Sequence, residues 1–180
     1  EVVRYQTAGD DQSKIADEIR EAWKEADLIL TTGGVSVGEK DLLPGVIENL
    51  TGNVLFHGIQ VKPGMPTMLS VVNGTPVLSL SGNPFAVEAL FEVLAGGYLT
   101  DMEASRYLQK NQMKILKQTF VKTGKMKRIV KGRCDESGVY LPQIQKNGQL
   151  KNGIGSNCLV IFPEGERTYT EGEAVWVIRI

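Results

Sequence analysis

Histidine and cysteine are nearly absent from this chain. The one histidine, His57, has no serine or cysteine partner in a pattern that would make a nucleophilic triad, and it reads as a structural or surface residue. The two cysteines, Cys134 and Cys158, are far apart in sequence and lack a Cys-x-x-Cys or Cys/His neighbourhood. That argues against a zinc site and for buried free thiols, with a reducing, cytoplasmic setting as the corollary. An excess of one charge is also missing: 20 Lys and Arg stand against 21 Asp and Glu, so no basic field recruits nucleic acid. No apolar run is long enough to span a bilayer, which predicts no membrane partner. No signal peptide is visible after Glu1, and no repeat, low-complexity tract or heptad pattern occurs.

What is present is a globular composition. The 180 residues are 42% apolar and 23% charged, enough for one or two domains with real cores. The chain is organised around Asp27 to Asp41. Asp27 to Thr32 reads as a buried strand stopped by Gly33 and Gly34, followed by a loop through Val35 and Ser36, with Asp41 opening the next helix. Glu1 to Gln6 is strand-like, and Ile15, Ile19 and Trp23 mark an amphipathic helix from Asp11 to Glu25. Strand, helix and strand at this spacing predict a βαβ unit and a parallel sheet. Asn73-Gly74 predicts a tight hairpin turn. Ser81-Gly82-Asn83-Pro84 then repeats the strand–glycine–helix design ahead of an apolar helix from Phe85 to Leu99. A boundary is expected at Thr100 to Ser105, giving an α/β domain over 1–102. Short strands with glycine turns suggest a small β-barrel or sandwich over 103–180.

Two glycine junctions at neighbouring strand ends could cradle a phosphate-bearing ligand, although such turns often carry none. Asp10 and Asp41 each follow a predicted strand, where converging carboxylates could hold Mg²⁺; either could instead cap a helix. Lys62, in the stiff turn Lys62-Pro63-Gly64, could pair with an oxyanion or simply be solvated. Lys125, Lys127, Arg128, Lys131 and Arg133 form a basic cluster that could reach an anion or be an exposed strand face.

Thr31-Thr32-Gly33-Gly34-Val35-Ser36-Val37-Gly38 with Asp41, then Lys62-Pro63-Gly64 and Ser81-Gly82-Asn83-Pro84, resembles the molybdopterin molybdenumtransferase family, which includes MoeA and the gephyrin E domain. Gly148-Gln149-Leu150 and Asn157 to Gly165 resemble that family's last domain. The resemblance implies a three-layer α/β/α domain with a mostly parallel sheet, MogA- and MoaB-like and incomplete at its N-terminus, followed by an all-β barrel. It implies insertion of molybdate into adenylylated molybdopterin with release of AMP, aided by Mg²⁺. Asp10, Asp41 and Lys62 match the family's catalytic residues, with Asp10 and Asp41 as the metal ligands. Gly33, Gly34, Val35, Ser36, Pro63, Gly64, Ser81, Gly82, Asn83 and Pro84 match segments lining the pterin nucleotide site.

The resemblance further implies a cytoplasmic homodimer and an adenylyltransferase as partner. The chain departs from the pattern at Met65 and Gly58, where many relatives carry lysine, and at Asn152, where a serine is frequent. It begins at what would be the α/β domain's second strand, so the family's two N-terminal domains are not expected in it, and this chain alone is not assumed to be active. A molybdopterin adenylyltransferase-type domain and a gephyrin-like scaffold binding peptides are the alternatives.

Overall fold

A computed structural model describes residues 1–35, 42–96, 111–142 and 155–180. The chain contacts divide into two units, residues 1–59 with 64–83, and residues 60–63 with 84–180. The boundary expected at 100–105 lies outside the described residues.

The first unit starts with helix α1, Gln12–Ala22. Its start is fixed by Asp11, whose carboxylate accepts the backbone N–H groups of Ser13 at 3.0 Å and Lys14 at 3.2 Å. Ala16 and Ile19 are buried, and Ile15, Ala22 and Trp23 pack against the same core. Strand β1, Ile29–Thr32, leads to the first glycine junction. Helix α2, Leu43–Asn49, tolerates Pro44 because it falls in the first turn. Strands β2, Asn53–His57, β4, Met68–Val72, and β5, Thr75–Leu80, complete a sheet of order β1-β5-β4-β2. Strand β3, Val61–Lys62, comes between β2 and β4 in sequence but belongs to the second unit.

The first unit's sheet is mixed rather than mostly parallel. Only β1 and β5 run parallel; β5–β4 and β4–β2 are antiparallel. The reason is the Asn73-Gly74 turn. It joins β4 to β5 through two residues, both at positive φ (49° and 83°), and so short a connection permits only antiparallel neighbours. Glu1 to Gln6 forms no strand, and Val2, Val3 and Tyr5 are exposed. With no ladder partner for that segment, the expected βαβ unit does not form there. The parallel pair is made instead by β1 and the much later β5. One face of the sheet, with Ile29, Met68, Val72 and Val77, buries against α1 and α2 residues Ile19, Val46 and Ile47.

The second unit contains helix α3, Pro84–Leu90, which widens into a π-helical turn at Phe91–Ala95. Its strands are β6, Asn111–Ile115, β7, Phe120–Lys122, β8, Lys127–Cys134, β9, Val139–Tyr140, β10, Cys158–Phe162, β11, Arg167–Tyr169, and β12, Ala174–Arg179. The larger sheet has the order β3-β8-β10-β12-β6, with β9 also beside β8. Leu116, just past β6, bridges to Val139 in β9, so the run of neighbours returns to β8. Val130, Val160, Phe162 and Val177 fill the core, and Phe162 stacks on Phe120 with centroids 4.5 Å apart.

Candidate functional site

The two glycine junctions are brought together within the first unit. In the parallel ladder Thr31 lies opposite Ser79 and Thr32 opposite Leu80. Both chains therefore leave the sheet at the same edge. Gly33 follows β1 and donates its N–H to the Leu80 carbonyl at 2.9 Å. A Cβ placed on Gly82 would meet the Gly33 Cα at 3.7 Å, an ordinary van der Waals contact, so the two turns lie side by side with only glycine hydrogens between them. Gly33 and Gly34 both have positive φ, 85° and 65°, a conformation that costs other residues free energy. The arrangement is a crest at the carboxyl ends of adjacent parallel strands, where α/β sheets hold ligands.

The donors of this crest are fewer than the sequence suggests. The Gly33 N–H is consumed by Leu80, whereas the amides of Gly34 and Gly82 have no partner among the described residues. The Gly34 carbonyl accepts the Leu43 N–H at 3.1 Å, tying the crest to the start of α2. Val35 is buried, and its carbonyl oxygen lies 2.9 Å from His57 Nε2. A carbonyl only accepts, so Nε2 carries the proton.

Beneath the crest lie hydroxyls that the sequence reading overlooked. Thr31 Oγ1 and Ser79 Oγ belong to cross-strand partners, two positions before Gly33 and three before Gly82, and both are buried without a hydrogen-bond partner among the described residues. Ser70 Oγ, on the same face of the sheet, is a third. Buried hydroxyls of this kind are paired in folded proteins by water or by a ligand. Their signal in the sequence is a hydroxyl residue interrupting each of two apolar strands.

The remaining candidates are placed as follows. Asp10 is exposed and precedes the capping Asp11, so the capping role that competed for it belongs to its neighbour. Ser81 and Asn83 flank Gly82 in the first unit, and Gly64 accepts a hydrogen bond from Thr67 Oγ1 at 2.7 Å. Lys62, Pro63 and Pro84 belong to the second unit, where Lys62 is exposed on β3. Ser36 and Asp41 lie outside the described residues. Among the described residues no three His, Cys, Asp or Glu side chains gather as metal ligands. Asp10 alone does not make a Mg²⁺ site. The basic cluster is partly committed: Lys131 pairs with Glu88 at 2.5 Å and lies over the Phe85 ring. Among the described residues no helix is long and apolar enough to cross a membrane.

A crest of this kind, on a mixed α/β unit joined to a second, strand-rich unit, defines a class. Residues 1–101 match the family described as "probable molybdopterin binding domain", and the chain belongs to that family. Within it, the similarity is to molybdopterin molybdenumtransferases. That of Staphylococcus aureus (strain COL) is 30% identical over 99% of this chain, and that of Staphylococcus epidermidis is 27% identical over the same share. The chain spans 44% of the length of these relatives. Two crystal structures of the molybdopterin biosynthesis MoeA protein from Pyrococcus horikoshii, each 26% identical, superpose with TM-scores of 0.77 and 0.72 over 94% and 95% of this chain. They are covered to 41% and 40% of their own length.

Proposed function

We propose that this chain acts in molybdenum cofactor biosynthesis, as part of an enzyme that inserts molybdate into adenylylated molybdopterin and releases AMP. The observation that carries this reading is the apposition of the two glycine turns at the ends of β1 and β5, with the amides of Gly34 and Gly82 unpaired among the described residues and the hydroxyls of Thr31 and Ser79 beneath them. Backbone N–H groups with no Cβ in the way suit a phosphate. Buried hydroxyls suit the polar edge of a pterin or an ordered water.

In this reading the crest binds and orients the phosphate-bearing substrate, with Gly33, Gly34, Val35, Ser36, Ser81, Gly82 and Asn83 as its lining. Catalysis is electrostatic: charge is neutralised at the phosphoanhydride that breaks as AMP leaves. Lys62 supplies an oxyanion-binding cation, with Pro63 and Gly64 in the turn after it and Pro84 at the start of α3 as further lining. Asp10 and Asp41 are the catalytic carboxylates, and Mg²⁺ belongs to the reading through these two alone. The first unit is read as a three-layer α/β/α domain and the second as a small barrel, in a cytoplasmic homodimer fed by an adenylyltransferase. Similarity to the curated relatives over 99% of the chain, the strand-rich second unit included, favours this over an adenylyltransferase-type domain.

Molybdate-dependent release of AMP from adenylylated molybdopterin tests the reading. Asp10→Asn, Asp41→Ala and Lys62→Gln each lower turnover by about a hundredfold, the scale of losing a main electrostatic contact to the transition state. Unchanged turnover in all three contradicts it.

A further inference from the structure

Strand β3 lies parallel to β8, with Val61 opposite Lys127 and Lys62 opposite Arg128. Directly opposed residues of a ladder project to the same face of the sheet, so Lys62 and Arg128 stand side by side. Like charges placed this way repel. Among the described residues neither has a carboxylate partner, unlike Lys131 three positions on. Along β8, Arg128 shares its face with Val130, and both border a cavity of about 300 Å³. Gln118, Thr119, Phe120 and Pro142 form other parts of its wall, and among the described residues no acidic side chain lines it. Gln118 uses its carboxamide oxygen on the Leu141 N–H at 3.2 Å, which leaves its N–H groups as donors. The cavity thus combines a guanidinium, hydroxyl and amide donors, and an apolar wall of Phe120, Val130 and Pro142.

We propose that Arg128 is a second oxyanion-binding residue beside Lys62, and that the ligand is a tetrahedral oxyanion, either molybdate itself or the phosphate of a nucleotide. This rests on the reading of Lys62 as an oxyanion-binding cation. An anion between the two side chains removes the repulsion that the ladder otherwise imposes, and the fork of Arg128 matches two oxygens of a tetrahedral group. The half-buried position of Arg128 on a packed strand gives that fork a fixed direction, which the exposed Lys62 lacks.

The test is calorimetric binding of molybdate, inorganic phosphate and AMP to the protein and to its R128Q, R128K and K62Q variants, with thermal unfolding of each. R128Q weakens binding of at least one of these anions by about tenfold or more, the size of one charge-assisted fork. R128K retains part of it. Loss for molybdate identifies the inorganic anion as the ligand; loss for AMP identifies the nucleotide phosphate and takes that phosphate away from the glycine crest, against the reading of the crest as its seat. Without anion, the unfolding midpoint of R128Q stays level or rises, because a repulsion has been removed. Equal affinities of R128Q and the unmodified protein for all three anions overturn the proposal. So does a lowered midpoint with binding intact, which is the mark of a packing role only. Binding lost in R128Q but kept in K62Q supports Arg128 and overturns the reading of Lys62.

Discussion

His57 donates its Nε2–H to the carbonyl oxygen of Val35 across 2.9 Å, joining the end of β2 to the residue that follows the glycine pair. The bond spans twenty-two positions of sequence and holds the crest from outside the strands that form it. His57→Ala should cost about 1 kcal/mol of stability, the net worth of one such bond. It should also speed amide exchange at Gly34 and Val35. Urea unfolding and hydrogen exchange check the two effects. His57→Gln, which can still donate, should recover part of both.

Lys122 is buried to 1% exposure, and among the described residues no carboxylate pairs with it. Its ammonium donates to the carbonyls of Gly124 at 2.8 Å and Gly165 at 2.5 Å, and the Gly165 N–H returns a bond to Lys125. One side chain therefore clamps two turns. Lys122→Ala should destabilise the second unit by about 3 kcal/mol, through a cavity and two unpaired carbonyls. Lys122→Met, which keeps the volume, should cost less. Denaturant titration of the two variants separates packing from hydrogen bonding.

The Cys158 thiol is pushed up to about 12, chiefly by burial and further by the Cys134 thiol beside it. A thiol whose folded value lies above its unfolded value, about 8.5, favours folding fully below the unfolded value. That contribution is lost as pH rises from there toward the folded value. Stability should therefore be flat with respect to this group below about pH 8.5 and fall above it. Cys158→Ala should flatten that alkaline decline. Both thiols should react with a disulfide reagent only as the chain unfolds.

Gly138 has φ of 150°, and a Cβ there would collide with the Ile115 carbonyl oxygen and meet Lys117 Cε at 2.7 Å. This is the place where Leu116 bridges Val139. Gly138→Ala should destabilise by more than 2 kcal/mol, since backbone rather than a flexible side chain has to move. Thermal unfolding measures it.

How much of this was legible in the sequence depends on the distance over which each feature is encoded. The stripe of Ile15, Ile19 and Trp23 and the turn Asn73-Gly74 are local signals, and both elements form where expected. The pairing of β1 with β5 is not local, because nothing near Ile29 names Val77 as its partner; glycines at both strand ends were the only hint. Glu1 to Gln6 has strand-forming residues but no ladder neighbour, and propensity without a partner makes no strand. Strand β3 is two residues long, too short for any periodicity, yet it sets Lys62 against Arg128. Asp10 and Asp11 are equally good caps on paper, and only the geometry assigns the task to Asp11. The buried hydroxyls of Thr31 and Ser79 and the buried Lys122 violate the usual polar-outside pattern. Such violations are where sequence rules give least guidance.

The most direct test of the central claim is an amide NMR titration of the protein with AMP. Binding at the crest predicts that the largest shifts fall on the N–H groups of Gly34 and Gly82 and spread to Val35, while Gly33, already bonded to Leu80, moves less. Shifts confined to residues away from the ends of β1 and β5, or none at millimolar AMP, would contradict it.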